Sequence, residues 1–324
     1  MKIGNTELCH GLMLAPMAGY TDRGMRLIAR ECGAEYTVTE MVSAKAVVYN
    51  DKKTAALARI GKDEGAVAIQ IFGKEPEVMA EAARILSHPG EGARPVAIDI
   101  NMGCPVNKIF SNGEGSALMR DPGLIEKITE AVRLATDLPV TVKLRAGIDG
   151  ESRNAIECAL AAEAGGAAAI CVHGRTRVEM YGGRADRNLI ARVKAALKIP
   201  LIANGDITSR DEALDMLRVT GADAIAVGRG AVGNPFVFEE IAAALEGREY
   251  TPPSLISRID AALRQLDYAR RDKGEAVAIP ESRKQIALYL RGFRGAAAAR
   301  AMINQATKYS EVERILRQTL AAEE

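Results

Sequence analysis

Net charge is almost absent from this 324-residue chain: 43 Lys and Arg stand against 42 Asp and Glu, a formal balance of +1. That balance excludes a strongly basic, histone-like binder while leaving room for a local basic patch. Long apolar runs are missing too. Those such as Ala167 to Val172 fall far short of the roughly 20 residues that cross a bilayer, so no membrane-spanning helix is expected. Met1 to Glu7 hold no apolar stretch of the export-signal kind, and a cytoplasmic protein is expected. The five cysteines, Cys9, Cys32, Cys104, Cys158 and Cys171, form no CxxC pair, so neither a metal site nor a disulfide framework is expected. Tryptophan is absent and aromatic residues make up 4% of the chain.

What is present is a regular alternation. Eight short segments rich in branched apolar residues end in Gly, Pro or a polar residue: Leu12 to Met17, Tyr36 to Val42, Ala66 to Phe72, Pro95 to Met102, Pro139 to Arg145, Ala167 to His173, Pro200 to Asp206 and Ala224 to Arg229. Between them, Asp22 to Cys32, Glu75 to Leu86, Pro122 to Ala135, Arg153 to Ala164 and Arg187 to Leu197 carry apolar residues at helical spacing. Strict βα alternation with near-continuous apolar strands predicts a parallel sheet covered by helices. Eight such units make an α/β fold of the (β/α)8 TIM-barrel type, with a doubly wound sheet as the alternative. The long interval after the fourth strand predicts an extra loop.

A helix to about Leu245 is followed by Gly247, Pro252 and Pro253, which mark a boundary. The division expected is a barrel over residues 1–250 and a small all-helical C-terminal domain over 251–324. The second part has a net charge of +4 and the first −3. From Ser282 to Ser310 six basic residues (Arg283, Lys284, Arg291, Arg294, Arg300 and Lys308) meet no acidic one. The run reads either as a solvated face or as a phosphate-contacting surface. With only Tyr289, Phe293 and Tyr309 among it, base stacking is not its mode.

Barrel active sites lie at the carboxyl ends of the strands. Polar residues and glycines gather there at nearly every strand: Met17-Ala18-Gly19, Glu40, Gln70, Asn101 to Cys104, Lys143 with Arg145, His173 with Arg175, Asn204-Gly205-Asp206 and Gly228-Arg229-Gly230. Such a set predicts a polar ligand. The glycines after the seventh and eighth strands suit phosphate binding through backbone N–H groups, and Arg229 adds a charge-assisted contact. Residues 228–233 spell GxGxxG, but after the last strand rather than in a first βαβ unit, so they read as a barrel phosphate site. Lys143 could be an ion-pair partner, a Schiff-base nucleophile or a cation facing an anionic ligand. Beside Gln70 the third role fits best, and it suits a flavin, whose reduced ring is anionic. His173 either bridges neighbouring strands or stands beside the ligand. Cys104 alone of the cysteines lies at the rim, and no Cys-His-Asn hydrolase pattern surrounds it. An ordinary thiol, with a pKa of about 8.5, is mostly protonated at neutral pH, so general acid is its expected role.

These residues resemble the tRNA-dihydrouridine synthases, in particular their bacterial B-type branch. The resemblance rests on Leu14 to Gly19, Thr39 to Ser43, Gln70 to Gly73, Asp99 to Pro105, Val142 to Arg145, His173 to Arg177, Asn204 to Ile207 and Gly228 to Gly230, in that order. It implies FMN-dependent reduction of specific uridines in tRNA to 5,6-dihydrouridine, with NADPH as reductant and a monomeric enzyme. Hydride would pass from FMN N5 to uracil C6, and Cys104 would give a proton to C5. Pro16, Met17 and Ala18 would line the flavin, Gln70 and Lys143 would bond its ring, and His173 would stand beside it. Asn204, Gly205, Asp206, Gly228 and Arg229 would hold its phosphate. Asn101, Arg145, Arg175, Arg291 and Arg294 would bind the substrate, the last two from the helical RNA-binding part. Two departures stand out: Ala185-Asp186-Arg187 lacks the Trp many relatives carry there, and Ile109 to Glu114 are atypical, so the loop over the substrate is expected to differ.

Overall fold

The computed structural model describes residues 1–321. The chain opens with a small antiparallel hairpin, β1 (Lys2–Ile3) and β2 (Thr6–Glu7). There follow β3 (Leu12–Leu14), α1 (Arg23–Glu31), β4 (Tyr36–Val38), β5 (Val42–Ser43), α2 (Ala44–Val48), α3 (Lys52–Ala58), β6 (Val67–Phe72), α4 (Pro76–Leu86) and β7 (Ala97–Asn101). The long interval then holds α5 (Asn107–Ser111) and a 3₁₀ turn over Gly115–Arg120. After it come α6 (Pro122–Ala135), β8 (Val140–Arg145), α7 (Ala155–Ala164), β9 (Ala169–His173), α8 (Arg187–Ala196), β10 (Leu201–Asn204), α9 (Arg210–Thr220), β11 (Ala224–Val227) and α10 (Val237–Leu245).

Strands β3 to β11 pair only in parallel, and β4 pairs with both β3 and β6, which closes the sheet. The result is the eight-staved barrel that the alternation predicts. Its second stave is broken: β4 and β5 both pair with β6, but after the Thr39 N–H, which donates to the Ala68 carbonyl at 3.0 Å, the ladder is interrupted until Val42. The run from Tyr36 to Val42 is therefore not one strand. Thr39 turns aside to receive the Gln70 N–H on its Oγ1 at 3.1 Å.

Two apolar layers hold the barrel. The outer one joins strand residues such as Leu14, Ile71, Ile100 and Val142 to helix residues such as Met79, Ile125 and Ile190. The inner one fills the barrel with Met13, Tyr36, Cys171 and small alanines, together with Ile3 and Leu8 from the opening hairpin. A Cβ on Gly4 would stand 2.6 Å from Pro139, just before β8, so the hairpin sits at the amino ends of the strands and leaves the carboxyl ends open. Helix starts follow local chemistry. Asp22, Asp121 and Ser209 cap α1, α6 and α9 by accepting the N–H of Met25, Leu124 and Glu212, and Gly221, at φ +64°, ends α9 in the left-handed region.

The C-terminal region is helical: α11 (Leu255–Lys273), α12 (Glu275–Ile286), a 3₁₀ turn over Ala287–Leu290, α13 (Ala296–Ile303) and α14 (Tyr309–Ala321). The last three residues of the expected 251–324 unit lie outside the described residues. This region packs on the barrel. Arg264 and Tyr268 of α11 bond Glu31, and Lys273 bonds Asp22 at 2.6 Å. A buried chain from Tyr289 through Gln265 to Gln285 ties its own helices together. Among the described residues no helix is long and apolar enough to cross a membrane.

Candidate active site

A cavity of about 1100 Å³ opens at the carboxyl ends of the barrel strands. Pro16, Met17, Ala18, Gln70, Asn101, Cys104, Lys143, Arg145, His173, Asn204, Gly205, Asp206, Gly228, Arg229 and Arg291 all line it. Arg175 and Arg294 are not among its lining residues.

The floor is a directed chain of hydrogen bonds across β6, β7 and β8. Asn101 Oδ1 accepts the backbone N–H of Cys104 at 2.9 Å and that of Gly103 at 3.2 Å. Two backbone donors on one side-chain atom require that atom to be the oxygen, so the Asn101 amide nitrogen must point the other way. It donates to Gln70 Oε1 at 2.8 Å, which turns the Gln70 nitrogen onto Asp99 Oδ2 at 2.6 Å. Thr141 donates to the other Asp99 oxygen at 2.5 Å. The register places Gln70, Asp99 and Thr141 side by side, and alternation along β7 sends Asp99 and Asn101 to the same face. Burial raises the Asp99 pKa to about 6, against the pull of its two donors and of Lys143.

Lys143 Nζ donates to Asn204 Oδ1 at 3.0 Å, and the Asn204 nitrogen is spent on the Ala226 carbonyl at 2.6 Å. The ammonium thus stands in the middle of the floor. His173 lies beside it, 9% exposed; burial and then the charges of Lys143, Arg145, Arg175 and Arg229 depress its pKa to about 2, so it is a neutral imidazole.

Cys104 is buried at the cleft wall. Burial pushes its thiol above the ordinary range, against a Val106 N–H and the nearby Arg145 charge. It is therefore a protonated thiol at neutral pH, suited to giving a proton rather than attacking as a thiolate. Its carbonyl receives Ser116 N–H and Oγ–H, and Arg145 donates to the carbonyls of Gly103, Thr176 and Met180. Arg145, although at the cavity, is thus committed to holding the cysteine loop.

The glycine-rich end is built for close approach. Gly205 lies at φ +127°, and a Cβ there would meet Ala185 at 2.6 Å. A Cβ on Gly230 would fall 2.1 Å from the Ile207 carbonyl oxygen. Asp206 adopts φ +51°, a conformation Asp tolerates better than most side chains. It is held there by Arg175 at 2.7 Å and the Ala185 N–H at 2.8 Å, which outweigh burial and keep its carboxyl below the usual range. Arg175 spends its remaining donors on the carbonyls of Gly182 and Gly183, so it shapes this loop from behind. Arg229 lies 3.7 Å from Asp206, with its guanidinium 4.4 Å from the Tyr181 ring centre.

Several residues of the site escaped the sequence reading. Asp99 was visible only as an acid inside an apolar strand, two positions before Asn101. Tyr181, Tyr20 and Arg258 line the cavity from loops and from α11, where spacing marks no such role. The atypical segment begins inside α5 and runs past its end, and its Phe110 ring is flanked by the guanidinium groups of Arg120 and Arg177 at 4.5 and 3.7 Å. The missing Trp costs no ordering at Ala185-Asp186-Arg187: Ala185 is buried, and Asp186 caps α8 and pairs with Arg153.

A family model described as dihydrouridine synthase (Dus) matches residues 13–324. A probable tRNA-dihydrouridine synthase of Rickettsia conorii is 41% identical over 306 residues, covering 94% of this chain and 91% of that one. tRNA-dihydrouridine synthase B of Pseudomonas aeruginosa is 40% identical over 307 residues, again 94% and 91% of the two chains. Among solved structures, histamine dehydrogenase from Rhizobium sp. 4-9 superposes with a TM-score of 0.56 at 15% identity, over 83% of this chain and 50% of that one. A 2-naphthoyl-CoA reductase does so at 0.56 and 15%, over 76% and 52%. This chain spans about half the length of those two structures, and at such identity the likeness bears on the barrel fold alone.

Proposed function

The chain belongs to the dihydrouridine synthase family, and from that premise we propose that it reduces specific uridines in tRNA to 5,6-dihydrouridine, with FMN as cofactor and NADPH as reductant. The observation that carries this reading is a protonated thiol, Cys104, anchored in the same cleft as an ammonium, a neutral imidazole and a glycine-lined loop pair.

The residues fit FMN. The backbone at Gly205 and Gly230 leaves no room for a side chain, as a phosphate cradle requires, and Arg229 adds a cation. Asn204, Asp206 and Gly228 complete that end, while Pro16, Met17 and Ala18 form a wall for a flat ring. Lys143 and Gln70 supply donors for its polar edge, and neutral His173 stands beside it without adding charge. Bound there and reduced by NADPH, FMN would supply the hydride that uracil accepts.

Cys104 then delivers a proton from Sγ to uracil C5. The Asp99, Gln70 and Asn101 chain keeps that thiol in place by fixing the backbone of its loop, and Arg145 ties that loop, through the Gly103 carbonyl, to the Thr176 and Met180 carbonyls of the segment after β9. A uracil reaches the floor only after leaving the RNA stack, as for other enzymes that modify bases. We read residues 1–250 as the catalytic unit and 251–324 as the RNA-gripping unit. Its run from Arg283 to Lys308, with Arg291 and Arg294, would hold backbone phosphates, so binding should weaken as salt rises.

The test is direct: purified protein, FMN and NADPH are incubated with tRNA transcribed without modifications, and dihydrouridine is measured by nucleoside mass spectrometry. Dihydrouridine in tRNA is the expected result. FMN-bound protein that consumes NADPH but forms none on any RNA fraction would replace this reading with a small-molecule reductase.

A further inference from the structure

Among the described residues three arginines of the cleft form no ion pair, and two of them also lack the three carbonyls that hold Arg145. Arg258, on α11, and Arg291, just after the 3₁₀ turn of the C-terminal region, both line the cleft. The Arg258 guanidinium rests 4.9 Å from the Phe293 ring centre, and its Nη1 donates to the Arg291 carbonyl at 3.3 Å. Its Nε is buried without a hydrogen-bond partner. Burial, and then the charge of Arg291, lower its pKa. The Arg291 guanidinium has no hydrogen bond or ion pair among the described residues. The other cations of the cleft differ: Lys143 has Asn204, Arg145 has three carbonyls and Arg229 has Asp206.

Two guanidinium groups lining one cleft, close enough for the charge of one to lower the pKa of the other, cost free energy unless something neutralises both. A phosphate monoester carries a charge of about −1.5 to −2 near neutral pH and offers oxygens to two donor forks. A phosphodiester, such as the RNA phosphate Arg291 would meet once the nucleotide has left, brings one charge and leaves the pair half neutralised. Of the ligands this cleft must admit, NADPH differs from NADH by one such monoester. We propose that Arg258 and Arg291 form a phosphate-monoester subsite that receives the 2′-phosphate of NADPH and so selects it over NADH. This rests on the reading above only in that a pyridine nucleotide is the reductant. The FMN phosphate has the same chemistry, so the test separates the two.

The probes are 2′,5′-ADP and 5′-AMP, titrated calorimetrically into the FMN-loaded wild-type protein and its Arg258→Ala, Arg258→Lys and Arg291→Ala variants. The wild type should bind 2′,5′-ADP at least about tenfold more tightly than 5′-AMP, the factor one charge-assisted hydrogen bond carries. Both alanine variants should lose that preference with FMN content unchanged. Arg258→Lys, which keeps the aliphatic stem and the charge but not the fork, should lose part of it and guards against misfolding as the cause. Equal affinities in the wild type, or a preference that survives both alanine substitutions, overturns the subsite. Variants that shed FMN while keeping the nucleotide preference overturn the assignment to the reductant. No RNA enters the titration, so its outcome is independent of whether uridine is the substrate.

Discussion

Asn101 holds Cys104 by its backbone: the side-chain oxygen accepts the cysteine N–H at 2.9 Å, while the amide nitrogen is committed to Gln70. The thiol is therefore placed by a neighbour three residues away on the same strand end. Replacing Asn101 with Ala removes the side-chain acceptor of that N–H and lets the loop drift. A drift of about 1 Å costs on the order of 10²-fold in rate. Asn101→Ala should lose dihydrouridine formation by about that factor while still binding FMN, measured by tRNA turnover alongside flavin absorbance.

Asp99 makes stability depend on pH. Its folded pKa of about 6 lies above the roughly 3.9 of an unfolded Asp, so the folded state binds more protons between these values. Its contribution to stability is therefore most favourable below pH 4 and falls as pH rises through 6. Asp99→Asn has no such loss. The stability of the wild type relative to Asp99→Asn should drop by up to roughly 3 kcal/mol from pH 4 to pH 7, read from denaturant midpoints. A flat difference would show that Asp99 is not raised.

The Cys104 thiol should alkylate slowly at neutral pH. Burial raises it, and the Arg145 charge is among the influences that pull it down. Iodoacetamide labelling of Cys104, followed by peptide mass spectrometry, should accelerate only above the ordinary thiol range near pH 8.5. In Arg145→Ala the midpoint should move higher still, because the cation that favours the thiolate is gone. Labelling that is already fast at pH 7 would point to a nucleophile instead of an acid.

Glycine at 230 is required by space. A methyl group there would press on the Ile207 carbonyl oxygen at 2.1 Å, a backbone atom that cannot swing away. Gly230→Ala should cost about 1 to 3 kcal/mol by overpacking and weaken FMN binding, because Ile207 follows the Asn204-Gly205-Asp206 loop. Gly90→Ala is the control: nothing lies within 4 Å of its new Cβ, so thermal stability and flavin affinity should hold.

The barrel was legible because βα alternation with apolar strands leaves few other solutions, and seven of the eight predicted staves stand as single strands. The second stave was not, since Tyr36 to Val42 is apolar throughout and nothing local signals that Thr39 turns aside to bond Gln70. The site was legible where chemistry interrupts a strand end, as at Gln70, Asn101, Lys143 and His173. It was less so where the partner matters more than the residue. The resemblance implies substrate contacts for Arg145 and Arg175, and only the fold shows that backbone carbonyls and Asp206 take donors of both. Asp99 and Arg258 stand out only once neighbouring strands and the C-terminal helices are in place. Asp99 then proves to direct the whole hydrogen-bond chain.

The central claim is that Cys104 gives the proton that completes uracil reduction, and the most direct measurement compares NADPH oxidation with dihydrouridine formation in Cys104→Ala. NADPH oxidation by the FMN-loaded variant should match the wild type, since the thiol takes no part in it. Dihydrouridine formation on unmodified tRNA should fall by about 10² to 10⁴-fold, the range for a lost general acid. Full dihydrouridine formation by Cys104→Ala would contradict the account.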